Sequence, residues 1–230
     1  MTIGIIGAMD EEIERLQSEM EVTAEKEVAG SKYIEGTLYD VPVVLLLSGI
    51  GKVNAAVSAT ILHEQYEIDA VINTGSAGGF AKDLEVGDVV VSTSVTHHDV
   101  DVTAFDYAYG QVPGMPAMFD ADEQLMEKAM EAIAKTDARA AKGIIATGDS
   151  FMQDPVRVDF VRGKFPDMIA AEMEAAAIAQ VCHKYGTPFV VIRALSDIAG
   201  KESSISFDEF LPKAAENAAQ MIMTMIQSYK

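Results

Sequence analysis

Six short apolar runs in this chain each end in glycines or carboxylates, and no other feature constrains the fold so tightly. Glu12 lies just past Ile3–Ile6, and Ser48-Gly49-Ile50-Gly51 follows Val43–Leu47. Gly75-Ser76-Ala77-Gly78-Gly79 follows Val71–Asn73, and Gly148-Asp149-Ser150-Phe151 follows Ile144–Thr147. Glu172-Met173-Glu174 follows Ile169–Ala171, and Ser196-Asp197 follows Val190–Leu195. The runs are rich in Val and Ile and bounded by Gly, Asp or Pro, as buried strands are. Between them lie helical patterns at Asn54–Tyr66, Asp122–Lys135 and Glu174–Tyr185, and Phe207–Ser228 follows the last run. Strands alternating with helices predict an α/β fold with a mainly parallel sheet covered on both faces. Val86–Thr103 reads as β without a helix, so the sheet is expected to be mixed and partly curled. Open α/β sheets bind ligands at the carboxyl ends of their strands, where these glycines and carboxylates gather.

Composition narrows the function. The net charge is −19, which would repel phosphate backbones and anionic lipid, so neither nucleic acid nor a membrane surface is an expected partner. A hydrophobic fraction of 49% over 230 residues is ample for one large core, and a single domain over 1–230 is expected. No apolar stretch nears the roughly 18 residues of a membrane span. The opening MTIGIIGAMDEE has no basic n-region, which argues against a signal peptide and for a cytoplasmic protein. The one cysteine, Cys182, excludes an internal disulfide framework and a Cys-built zinc site.

Several familiar motifs fail on spacing. Ile3-Gly4-Ile5-Ile6-Gly7 lacks the dinucleotide fingerprint, and Val53 stands where a P-loop needs a hydroxyl after Gly51-Lys52. Gly75-Ser76-Ala77-Gly78 is no nucleophile elbow; its small residues instead let a ligand approach the backbone. His97 and His98 point to opposite faces of a strand, so no metal site is expected. Glu11, Glu14 and Glu19 read as one solvated helix face and Asp120, Asp122, Glu123 and Glu127 as another. Glu12, Glu172, Glu174 and Asp197 differ, because each sits between apolar segments that offer no surface face. They cap helices or they carry chemistry, and the second reading is preferred.

Taken in order, Gly7-Ala8-Met9-Asp10-Glu11-Glu12, Ser48–Val53, Asn73–Gly79, Gly148–Phe151, Glu172–Ala175 and Arg193–Asp197 resemble the bacterial 5′-methylthioadenosine/S-adenosylhomocysteine nucleosidases. The resemblance implies the nucleoside phosphorylase-like fold, three layers around a mixed, partly barrel-like sheet. It also implies a homodimer, no cofactor, and hydrolysis of adenine nucleosides to adenine and a thioribose in methionine salvage. By the same resemblance Asp197, oriented by Ser196, is the general acid at adenine N7. Glu174 holds the ribose hydroxyls, and Glu12 activates water with help from Ser76, Glu172 and Arg193. Phe151 stacks on adenine, backbone groups near Met152 read its edge, Ala77 and Gly78 lie against the ligand, and Met173 packs under the ribose. Met9 also binds the substrate, and Ile50 and Phe207, with Val102, Phe105 and Pro113 from a partner subunit, line an apolar slot for the 5′-alkylthio group. Asn73 and the acidic Asp10–Glu12 loop stand where related phosphorylases carry anion-binding arginines, which favours water over phosphate as nucleophile. A related nucleosidase or phosphorylase, or a silent purine-binding module, is the alternative.

Overall fold

The computed structural model describes residues 1–136, 138–201 and 203–229, with side chains for all of these except 203–206. Ten strands form one sheet: β1 (Ile3–Gly7), β2 (Glu21–Val28), β3 (Ser31–Leu38), β4 (Val41–Leu47), β5 (Ala70–Gly79), β6 (Val89–His97), β7 (Phe119–Asp120), β8 (Ala140–Thr147), β9 (Met168–Glu172) and β10 (Phe189–Ile198). Five of them, β10, β6, β8, β9 and β5, pair in that order, and a further pairing of β10 with β5 closes the ring. From β5 the sheet continues outward through β1, β4, β3 and β2. The expected mixed, partly barrel-like sheet is therefore present, with antiparallel pairs at β6–β10, β5–β9, β3–β4 and β2–β3.

Two apolar layers cover the faces. On one, α1 (Asp10–Glu19), α3 (Glu123–Ile133) and α6 (Ser203–Gln227) bury Ile13, Leu16, Leu125 and Ile222 against Ile5, Leu45 and Ile192. On the other, α2 (Lys52–Gln65) and α5 (Ala175–Tyr185) bury Ala55, Leu62, Ile178 and Cys182 against Ile6, Leu46 and Val191. Five of the first eight positions of α5 are alanine or isoleucine packed in the interior. α4 (Pro155–Lys164) packs Val158 and Val161 beside Phe165. Local chemistry sets several boundaries. Asp122 and Asp154 accept N–H groups at the starts of α3 and α4, Pro155 opens α4, and left-handed Gly186 ends α5.

The structure corrects the sequence reading in five places. β2 was not expected, because EVTAEKEV has no apolar alternation; it is an exposed edge strand held by backbone bonds to β3 and shielded by charge. Neither β3 nor α4 was expected. α6 begins at Ser203, a turn before Phe207, so Asp208 and Glu209 lie beyond its first turn. The β character of 86–103 is confined to Val89–His97, after which the chain runs as a loop with one short 3-10 turn at Thr103–Phe105. No described helix is long and apolar enough to cross a membrane.

Candidate active site

β5 makes the site by changing neighbours. It runs parallel to β1 from Ala70 to Asn73, then pairs with β9 only at Gly78 and Gly79, while β10 follows its other edge throughout. Between these pairings the Ser76 N–H has no strand to meet. Glu12, from the first turn of α1, supplies the acceptor: its Oε1 receives the Ser76 N–H at 2.9 Å and the Ser76 hydroxyl at 3.1 Å. Oε2 accepts the N–H groups of Ala8 at 2.8 Å and Met9 at 3.3 Å. The carboxylate thus ties the start of its own helix to the parted strand. Gly75, at φ +143°, is required here, since a Cβ would fall on the Arg193 guanidinium and the Glu12 carboxylate.

Glu172, Glu174 and Arg193 form a buried charge cluster at the cavity wall. Arg193 Nη2 donates to Glu172 Oε2 at 2.5 Å and to Asn73 Oδ1 at 2.9 Å, and lies 3.5 Å from Glu174 Oε2. Burial alone would push this guanidinium toward neutrality; Glu172, Glu174 and Glu12 together hold it charged. Glu172 also accepts the N–H groups of Glu174 and Ala175 at 2.9 and 2.8 Å and the Thr147 hydroxyl, so it does cap α5. Glu174 receives the Gly51 N–H at 2.8 Å. Burial, reinforced by neighbouring Glu172, raises its carboxyl to about 8 despite Arg193 and the Gly51 N–H. A ligand that donates hydroxyls would favour the charged form.

Asp197, on β10, lines the same cavity. The β5–β10 register shifts between Leu195 and Asp197, which brings Ser196 and Asp197 both to the cavity. The Ser196 hydroxyl is 3.0 Å from Asp197 Oδ1, and a Cβ on Gly78 would come within 3.1 Å of Asp197 Oδ2.

The cavity encloses about 370 Å³. Of the residues singled out in the sequence, Met9, Glu12, Ile50, Ser76, Ala77, Gly78, Phe151, Met152, Glu172, Met173, Glu174, Ser196, Asp197 and Phe207 line it. Arg193 does not; it sits behind the carboxylates, fully buried. Val102, Phe105 and Pro113 are not among its lining residues either, and Phe105 is 73% exposed on the surface. Phe151 and Phe207 meet edge to face at 5.7 Å. Sequence reasoning missed Ala8, Ser150, Ala171 and Asp208 on the walls and Thr147 behind them. Ala8, Ser150 and Ala171 sit beside residues that were named, so adjacency was the available signal. Cys182 is away from the cavity, and burial pushes its thiol up to about 12.

A closed strand ring with carboxylates lining an apolar cavity defines an enzyme of the phosphorylase superfamily, whose sequence profile matches residues 2–227. The 5′-methylthioadenosine/S-adenosylhomocysteine nucleosidase of Oceanobacillus iheyensis is 61% identical over 227 residues, 99% of each chain. The Neisseria meningitidis nucleosidase of the same name, solved in complex with methylthio-immucillin-A, superposes with a TM-score of 0.96 at 50% identity, covering 99% of each chain. That of Colwellia psychrerythraea, solved with adenine, gives 0.96 at 47% identity, covering 99% of this chain and 95% of its own. Within the superfamily this chain belongs to the 5′-methylthioadenosine/S-adenosylhomocysteine nucleosidases.

Proposed function

We propose that the protein hydrolyses the N-ribosidic bond of 5′-methylthioadenosine and S-adenosylhomocysteine, releasing adenine and the corresponding thioribose, with residues 1–230 acting as one catalytic domain. Water adds to C1′ as the C1′–N9 bond breaks. Adenine is a poor anionic leaving group, so Asp197, oriented by Ser196, delivers a proton to N7. Glu174 accepts the ribose hydroxyls, and its negative charge opposes the positive charge that develops on the oxocarbenium-like sugar. Glu12, already held by three N–H groups and the Ser76 hydroxyl, takes the proton from water on the face away from Asp197. An acid and a base separated by sugar and water is the arrangement of an inverting glycosidase. Phe151 stacks on the base, the backbone at Met152 reads its edge, Ala77 and Gly78 lie against the ligand, and Met173 supports the ribose. Met9, Ile50 and Phe207 give the alkylthio group an apolar wall.

One observation carries hydrolysis over phosphorolysis. The described lining includes Glu12, Glu172, Glu174, Asp197 and Asp208 and no lysine or arginine, and the guanidinium nearest to it, Arg193, is taken up by Glu172 and Asn73. A phosphate dianion would enter this cavity against like charge. Adenine release is therefore expected at the same rate with phosphate removed and with phosphate added. A rate that needs phosphate, with a thioribose 1-phosphate product, would overturn the hydrolase reading.

A homodimer fits the same surface. Ile50 is half exposed at the cavity mouth, Val53 is 72% exposed on the next turn, Val57 also faces outward, and Phe105 projects from the 100–118 loop. α2 is thus apolar on its outer face as well as its inner one, which a helix facing only water does not need. A second copy covering this face brings Val102, Phe105 and Pro113 to the alkylthio slot. Light scattering is expected to give twice the 24.7 kDa chain mass. A fully active monomer would exclude the shared slot. A cytoplasmic location goes with this reading and with the reduced, buried Cys182.

A further inference from the structure

The loop that donates to Glu174 is held only in part by its own residues, Asn54 Nδ2 donating to the Ile50 carbonyl at 2.7 Å and the Ser48 hydroxyl to the Gly49 carbonyl at 2.9 Å. Gly49 and Gly51 both have positive φ, +80° and +94°, and Gly51, the residue that starts α2, offers that helix no side-chain cap. The cap comes from elsewhere. Asp149, in the loop after β8, accepts the Lys52 N–H at 2.7 Å on Oδ1. Asp99, in the loop after β6, accepts the Asp149 N–H at 3.0 Å on Oδ2 and the Lys52 ammonium at 2.6 Å on Oδ1. These three bonds close a circuit through loops that follow three different strands. Burial would raise the Asp99 carboxyl, but the Lys52 and Asp149 donors outweigh it and hold it below its ordinary value, so the circuit stays charged near neutrality. Its centre adjoins Gly51, whose missing Cβ would lie 3.1 Å from Asp149 Oδ1. On its other side Gly51 points its N–H at Glu174.

We propose that Lys52, Asp99 and Asp149 are positioning residues for Glu174, a latch that keeps the Gly51 N–H on its carboxylate. The same latch ties Ile50 to Phe151, each two residues from one of its members and both lining the cavity. The proposal rests on the reading of Glu174 as the ribose-binding group. Without the latch, Gly49 and Gly51 open the loop to other conformations, and Glu174 loses a hydrogen bond to its charged form. The other groups facing it, Glu172, Arg193 and Glu12, are unchanged.

Asp149 is exposed, so its substitution spares the core. In Asp149→Ala, the Glu174 carboxyl signal, followed by carbon-13 NMR in the free protein and identified by its absence in Glu174→Gln, is expected to titrate about one pH unit higher. Below that midpoint kcat/KM for methylthioadenosine falls about tenfold, and it recovers as pH rises, because the carboxylate is the form that accepts ribose hydroxyls. Asp149→Asn keeps an acceptor oxygen and restores the wild-type profile. A wild-type Glu174 titration in Asp149→Ala overturns the latch, as does an Asn variant displaced as far as the Ala variant. If the titration moves and kcat/KM does not follow, the latch stands and the assignment of Glu174 to the ribose fails.

Discussion

Asp197→Asn is expected to bind adenine nucleosides yet lose at least about 10²-fold in the chemical step, the low end for removal of a general acid. The amide preserves shape and one hydrogen bond, while the proton for N7 is gone. A riboside whose leaving group needs no protonation, such as a nitrophenyl riboside, should recover much of that loss. Glu12→Gln behaves differently. The base is needed by either substrate, so its defect persists with the activated leaving group. The structure adds a control, because Glu12 also joins the start of α1 to β5 through Ala8, Met9 and Ser76. Gln retains one acceptor oxygen but turns an N–H₂ toward two of those donors. Glu12→Gln should therefore also lower the melting temperature, which Asp197→Asn should not. Equal responses of the two variants to the better leaving group would show that acid and base have been assigned to the wrong residues.

Arg193→Met is the substitution expected to cost most in stability. The guanidinium is 1% exposed and stands between Glu172 and Glu174, both buried. Removing one partner of a buried ion pair leaves an uncompensated charge, worth about 3–5 kcal/mol. For a chain of this size that corresponds to a melting-temperature fall of about 6–20 °C. The pH dependence has a definite sign. Without the cation, the folded-state carboxyl of Glu174, already raised to about 8, rises further above its unfolded value. Stability is then kept where Glu174 is protonated and lost as pH rises through its folded-state value. The deficit should be largest in mild alkali and smallest near the ordinary carboxylate range, as measured by denaturant unfolding across pH. A variant as stable as the parent at alkaline pH would mean that Arg193 is not what holds the Glu174 charge in the fold.

That Glu12 and Asp197 line one cavity could be anticipated because both belong to segments whose surroundings leave a carboxylate little choice. An acid directly after a buried strand has no water to face, so it pairs with a ligand, a cation or a helix terminus. The apolar runs, the glycines at their carboxyl ends and the order of strands and helices were legible for the same local reason. They depend on periods of two and 3.6 residues and on which residues tolerate a tight turn.

What the local pattern did not contain is where the pairs meet. The charged β2 hides its strand because its stability comes from backbone bonds to β3, which leave no trace in side-chain polarity. Glu172 caps α5 and also anchors Arg193, and only closure of the strand ring, which sets β9 and β10 on either side of β5, makes one carboxylate do both. The vacancy that Glu12 fills exists because β5 exchanges β1 for β9, a property of sheet closure and not of the segment Asn73–Gly79. Lys52, Asp99 and Asp149 are separated by about 50 residues each and join because three strands end at one rim of the sheet. By itself the sequence determined which side chains are available and at which strand ends they stand. Tertiary structure alone decided which of them are neighbours, and in a buried site the neighbour sets whether a carboxylate is a cap, a counter-ion or an acid, because hydrogen-bond and charge energies there fall off within a few ångströms.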